Sequence, residues 1–126
     1  MSIKKIILFT LIVTFLVGVV SANMDDVVNE TLKKFDEQGY KLVKNESGIY
    51  EFEKGDKKAS VTFDDNKKIK DLEKDNYIPF SVGSVDGYYH HENDDSRTFG
   101  YDCNGTTVLI KTNEVTILNH VVLGVR

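Results

Sequence analysis

The sequence predicts an α+β domain, an antiparallel β-sheet with an N-terminal and a C-terminal helix packed on one face. Three observations predict it. An amphipathic helical stripe opens the region after the first apolar run, two pairs of alternating segments each close on a two-residue turn, and a second apolar stripe ends the chain. No internal repeat of roughly 20–50 residues and no low-complexity tract points to a solenoid or a stalk.

The first 22 residues are expected to be a secretory signal peptide. Lys4 and Lys5 precede an apolar run, Ile6 to Val20, broken only by Thr10, Thr14 and Gly18, and Val20-Ser21-Ala22 supplies the small residues that a signal peptidase accepts. Cleavage after Ala22 is expected. The run is about 15 residues, shorter than the roughly 20 of a spanning helix, so a membrane contact is expected only through an uncleaved signal anchor. No Cys follows the run to carry a lipid. Residues 23–126 then form one α+β domain, and either outcome places it outside the cytoplasm, secreted or at the cell surface.

Removing 22 of 126 residues leaves 104, enough for one core and too few for two. Of the 16 Lys and Arg residues, two belong to the leader, leaving 14 against 20 Asp and Glu and a formal charge of −6. That balance argues against nucleic acid and anionic membranes as partners, because both require clustered positive charge. Cys103 is the single cysteine, so no internal disulfide is possible. It reads either as a small apolar residue near a strand end or as the donor of an intermolecular disulfide.

Met24, Val27, Val28, Leu32 and Phe35 fall on one helical stripe, with Asp25 and Asp26 expected in the first turn, Lys33 and Lys34 in the last, and Gly39 as the stop. From Tyr40 the period becomes alternating. Tyr50 to Lys54 and Lys57 to Phe63 flank Gly55-Asp56. Pairing Lys54 with Lys57 sets Glu53 opposite Lys58, Phe52 opposite Ala59 and Tyr50 opposite Val61, which gathers the apolar residues on one face. Asn104-Gly105 is the stronger turn signal. Pairing Cys103 with Thr106 puts Tyr101 opposite Val108, Gly100 opposite Leu109 and Phe99 opposite Ile110.

Between the hairpins, Asp64 to Asn76 reads as a solvated connection with only Ile69 and Leu72 apolar, and Pro79 forces Ile78 to be extended. Val82 to His90 reads as one strand with bends or bulges at Gly83 and Gly87, and Glu92 to Ser96 as the turn after it. At the end, Asn113 is a good N-cap and Ile117, Leu118, Val121, Val122 and Val125 suit a helix stripe, although their β-branched content also suits a strand. A helix is the reading taken.

The run Tyr88-Tyr89-His90-His91-Glu92, continuing to Asp95, gathers most side chains able to hold a ligand, bind metal or move protons. Alternation sends His90 and Glu92 to one side and His91 to the other, so a shared metal would need a bend, and nothing completes four ligands. A solvated hairpin tip is the simpler reading, and neither a metal nor a cofactor is expected. Asp94, Asp95 and Asp102, or Asp64, Asp65 and Asn66, lack the spacing that wraps calcium and read as turn residues. No nucleophile elbow, zinc helix, P-loop or dinucleotide fingerprint occurs. Tyr77, Phe80, Tyr88, Tyr89, Phe99 and Tyr101 serve either as core or as a binding surface. Tyr88 and Tyr89 point to opposite faces, so one must leave the helix-covered side. Three sequons, at Asn29, Asn45 and Asn104, are glycosylation candidates, with Asn45 favoured because a turn is expected there.

Val85-Asp86-Gly87-Tyr88-Tyr89, Thr98-Phe99-Gly100-Tyr101 and Asn104 to Ile110, closed by Ile117 to Val125, resemble small exported archaeal proteins, particularly of methanogens, and are similar to PsbP-like domains. The resemblance implies a fold and an exported setting and assigns no catalytic residue. The function expected is a non-enzymatic binding module that engages a protein or cell-surface component through the uncovered sheet face or the Tyr88 to Asp95 edge. The alternative is a small hydrolase or metal-dependent enzyme built on His90, His91 and Glu92.

Overall fold

A computed structural model describes residues 19–93 and 95–124. Residues 1–18 of the expected leader, Asp94 and Val125 lie outside the described residues, and the expected junction after Ala22 falls in the first turn of the N-terminal helix.

Helix α1 (Val19–Glu37) begins five residues before Met24, so Asp25 and Asp26 lie in its second turn and not its first. Its buried stripe is Val27, Thr31 and Phe35, flanked by half-buried Met24, Val28 and Leu32. Thr31 belongs to that face because its hydroxyl donates to the Val27 carbonyl at 2.8 Å, which satisfies a polar group that burial would otherwise penalise. The helix ends as its sequence requires. Gly39 takes φ +85°, the Gly39 amide donates to the Asp36 carbonyl and the Tyr40 amide to the Phe35 carbonyl, and the Phe35 and Tyr40 rings meet edge-on at 5.5 Å. These are the paired bonds and apolar contact of a Schellman cap.

Seven antiparallel strands follow: β1 (Lys41–Glu46), β2 (Ile49–Lys54), β3 (Lys57–Asp64), β4 (Ile78–Val82), β5 (Val85–Asn93), β6 (Ser96–Cys103) and β7 (Thr106–Thr112). Their order across the sheet is β1-β2-β3-β7-β6-β5-β4. The sheet is therefore two meanders, β1 to β3 and β4 to β7, sewn together by β3 against β7. Both turn-marked hairpins have the register that the sequence specifies: Lys54 faces Lys57 and Phe52 faces Ala59 in one, Cys103 faces Thr106 and Phe99 faces Ile110 in the other.

Three expectations are corrected. Val82 to His90 is not one strand, because Gly83, at φ +60°, closes a two-residue turn between β4 and β5; extended Ile78-Pro79-Phe80 is the start of an edge strand. Proline fits there because an edge position need not donate to a neighbour. The connection after β3 is not merely solvated, since Ile69–Asp75 forms a 3₁₀ helix that buries Leu72. The C-terminal helix is only a 3₁₀ turn, Val115–Ile117, running into α2 (Leu118–Val121). Asn113 is not its N-cap. The Asn113 side chain instead accepts from the Lys58 amide at 2.8 Å and donates to the Asp56 carbonyl at 3.0 Å, which ties the chain end to the β2–β3 hairpin.

The core lies between the sheet and the layer formed by α1 and α2. Phe52, Ala59, Val61, Phe63, Val82, Phe99, Tyr101, Val108 and Ile110 face Val27, Phe35, Ile117, Leu118, Val121 and Val122. The Phe35 and Phe52 rings stack at 4.3 Å. The opposite, outer face is crossed by the 3₁₀ helix, and what that helix leaves uncovered is the candidate site.

Candidate functional site

Register fixes which side chains share the outer face. Ser60 pairs with Lys111, Lys111 with Thr98 and Thr98 with His90, so these four form one row across β3, β7, β6 and β5. At about 4.8 Å per strand the row spans about 14 Å. The next row, Thr62, Leu109, Gly100 and Tyr88, is partly roofed by the 3₁₀ helix. Leu72 closes over Gly100, where an added Cβ would stand 2.5 Å from Leu72 Cδ1 and 2.7 Å from Leu109 Cδ2. Glycine at that position is what lets the crossover lie flat on the sheet.

The uncovered part is an open groove of ≈ 250 Å³ lined by Ser60, Thr62, Tyr77, His90, Glu92, Thr98, Leu109 and Lys111. At one end the Tyr77 and His90 rings stack at 5.1 Å. At its rim the Lys111 ammonium lies 3.7 Å from Glu92 Oε1, and the Ser96 hydroxyl donates to the same oxygen at 2.9 Å. The Ser96 bond, then Lys111, hold the Glu92 carboxyl below its ordinary value. Burial pushes the Tyr77 phenol up. At neutral pH the groove thus presents a paired carboxylate and ammonium, neutral hydroxyls and an imidazole. Among the described residues, the Ser60 and Thr62 hydroxyls and the His90 imidazole have no hydrogen-bond partner in the protein.

The Tyr88 to Glu92 run does not form one cluster. Tyr88 lies on the outer face and its hydroxyl donates to Glu73 Oε2 of the 3₁₀ helix at 2.7 Å. His90 and Glu92 enter the groove. Tyr89 pairs with Phe99 on the helix side and meets Phe80 at 4.9 Å. His91 pairs with Arg97 and, through Thr112, shares the side of buried Ala59. His90 and His91 therefore face opposite surfaces. Of the aromatic residues considered together, Phe99 and Tyr101 are buried and Phe80 and Tyr89 are on the helix side, which leaves Tyr77 and Tyr88 outside.

Among the described residues, no group of three His, Cys, Asp or Glu side chains is placed to hold a metal ion. Asp95 and Asp102 lie at opposite ends of β6, and Asp64 Oδ1 accepts from the Asn66 and Lys67 amides at 2.8 and 3.1 Å as a turn. Cys103 is half-buried against the core, and burial, then Asp102, pushes its thiol up and so away from the reactive thiolate. The sequons separate by burial. Thr31 and Thr106 are buried beside exposed Asn29 and Asn104, whereas Asn45 and Ser47 are both exposed. Asn45 lies within β1, two residues before the turn at Ser47-Gly48. No helix among the described residues is long and apolar enough to cross a membrane.

Sequence reasoning offered Tyr77 as a binding-surface candidate but missed Ser60, Thr62, Thr98 and Lys111 as groove residues. Their outward alternation is legible once each hairpin is registered, but the β3–β7 pairing that unites them carries no local turn signal. Comparison with protein families, curated proteins and solved structures finds no match for this chain.

Proposed function

We propose that the chain is an exported, non-enzymatic binding module that engages a protein or cell-surface component outside the cytoplasm through the outer face of its sheet. The observation that carries this reading is the groove between Ser60 and Tyr77. It displays the Ser60 and Thr62 hydroxyls, which make no hydrogen bond within the protein among the described residues, on a rigid sheet, with Ser60 three strands away from His90 and the Thr98 hydroxyl opposite His90 bonded to Tyr77. Its one carboxylate is committed to Ser96 and Lys111, and its one histidine stacks on Tyr77. The residue order Lys4 to Ala22 supports export. Removal of that leader would put Asp25 and Asp26 in the first turn of the shortened helix, where acidic side chains stabilise the dipole. The likeness to PsbP-like and archaeal exported domains is part of the same proposal and assigns no residue a role.

The test is made on the full-length gene expressed in its own cells. Mass spectrometry of the extracytoplasmic protein is expected to find Asn23 at its N-terminus. That protein is expected to co-sediment with cell-envelope material, and Ser60→Arg is expected to weaken co-sedimentation while Asn119→Arg, on the opposite helix layer, leaves it unchanged. Equal loss in both variants, or no co-sedimentation, would reject the module.

A further inference from the structure

The chemistry of the groove narrows the ligand. We infer that it binds a neutral glycan, an extended, uncharged polyhydroxylated chain of the cell surface, laid along the row Ser60, Lys111, Thr98 and His90; this rests on the binding-module reading above. Four properties of the row support that class.

The first is charge. Lys111 and Glu92 pair at 3.7 Å, so a phosphate, sulfate or carboxylate of an anionic polymer would have to compete with Glu92 for Lys111. The second is hydrogen bonding. The Ser60 and Thr62 hydroxyls each donate and accept, the His90 ring nitrogens add further polar sites, and none of the three makes a hydrogen bond within the protein among the described residues. Sugar hydroxyls also do both, so they can satisfy such groups whichever way each rotates. The third is shape. The groove is open and only ≈ 250 Å³, below the volume of about 300–1,000 Å³ typical of pockets that enclose a small molecule, while the row extends about 14 Å at one polar group per strand. A chain that repeats its hydroxyls along its length can span from Ser60 to His90, passing over the Thr98 hydroxyl, which is bonded to Tyr77, and Lys111, which is paired with Glu92. The fourth is the half-exposed Tyr77–His90 stack at the end of the row. It offers an apolar aromatic surface against which the C–H face of a sugar ring can pack, between flanking hydroxyls that orient it.

A peptide strand is the competing ligand. It would seek an unpaired sheet edge for backbone pairing, yet every strand beneath the groove is paired on both sides: β3, β7, β6 and β5 are all interior. The groove therefore offers side chains alone, which suits a ligand that hydrogen-bonds through its own substituents.

The experiment uses processed protein recovered from the extracytoplasmic fraction and two probes, untreated native envelope and the same envelope stripped of protein by exhaustive protease digestion and of lipid by solvent extraction. Sedimentation with the stripped polysaccharide is expected to be retained and to survive about 1 M salt, where the Debye length is about 3 Å. Ser60→Arg and His90→Ala are expected to weaken it by roughly tenfold or more, with Asn119→Arg unchanged. Circular dichroism melts that match wild type will show that each variant is folded; Thr62→Arg replaces either one that is not. Binding to untreated envelope that protease abolishes would overturn the glycan and leave the binding module standing. Binding to stripped polysaccharide that salt abolishes would indicate an acidic polymer and overturn neutrality. Binding that none of the groove variants changes would overturn the site. Failure to sediment with either probe would remove the module together with its ligand.

Discussion

Glu114 joins three parts of the chain through its two oxygens: Oε1 accepts the Tyr40 hydroxyl at 2.5 Å, just after α1, and Oε2 meets the Lys57 ammonium at 2.8 Å, at the start of β3. The Lys57 bond, then the Tyr40 bond, hold its carboxyl below the ordinary value, against a smaller opposing effect of burial. A folded-state pKa below the unfolded value of about 4.3 stabilises the fold above that pH, and the stabilisation disappears as pH falls through the folded value. Glu114→Gln should therefore lower the melting temperature by a few degrees at pH 7, and the gap from wild type should close in melts run below about pH 4. A gap that persists unchanged in acid would show that the charge is irrelevant there. Gly100 is the other residue whose identity decides a contact, since a Cβ there would meet Leu72 and Leu109. Gly100→Ala is expected to cost about 1–3 kcal/mol by overpacking, measured by chemical denaturation. The hairpin register made the Gly100–Leu109 pairing legible in the sequence, but the Leu72 contact and the Glu114 bonds were not, because those partners lie far along the chain.

At the scale of elements, the signals that succeeded were local. Alternation and a two-residue turn fix a hairpin because a slip of one residue would send every apolar side chain to the wrong face, and the observed pairs Tyr50–Val61 and Tyr101–Val108 follow from that alone. The helix cap at Gly39 is likewise decided within six residues. The crossover was misread for the opposite reason. Asp64 to Asn76 has one apolar residue that matters, Leu72, and its burial depends on a glycine 28 positions later. Leu72→Ala is expected to cost about 2–4 kcal/mol. Because it empties the space that Gly100→Ala invades, the double variant should be less destabilised than the sum of the two, and an additive result would place the crossover away from the sheet. The short C-terminal helix was overread for a related reason. Its β-branched residues are poor helix formers, and its start is held by Asn113 bonds to the β2–β3 hairpin and not by a cap.

For the whole molecule, the decisive contact is β3 with β7, which turns two meanders into one sheet and one core. Ile110 is fully buried at that seam, opposite both Val61 and Phe99. Ile110→Asn leaves a buried amide and a void, and should cost about 3 kcal/mol or more. Hydrogen exchange should then quicken together at Phe52 in β2 and Tyr89 in β5; faster exchange in only one meander would mean that the two halves fold apart. The same seam explains the groove, since Ser60 comes from one meander and Lys111, Thr98 and His90 from the other. The sequence alone determined the α+β class, the registers of the two marked hairpins, the helix cap and the opposite facing of His90 and His91, because periodicity and turn chemistry act between near neighbours. Only the tertiary structure decided which strands meet across the seam, what the crossover covers and which hydroxyls share a groove. Those outcomes depend on how separate apolar faces are buried together, and that burial favours apolar surface without naming its partner along the chain.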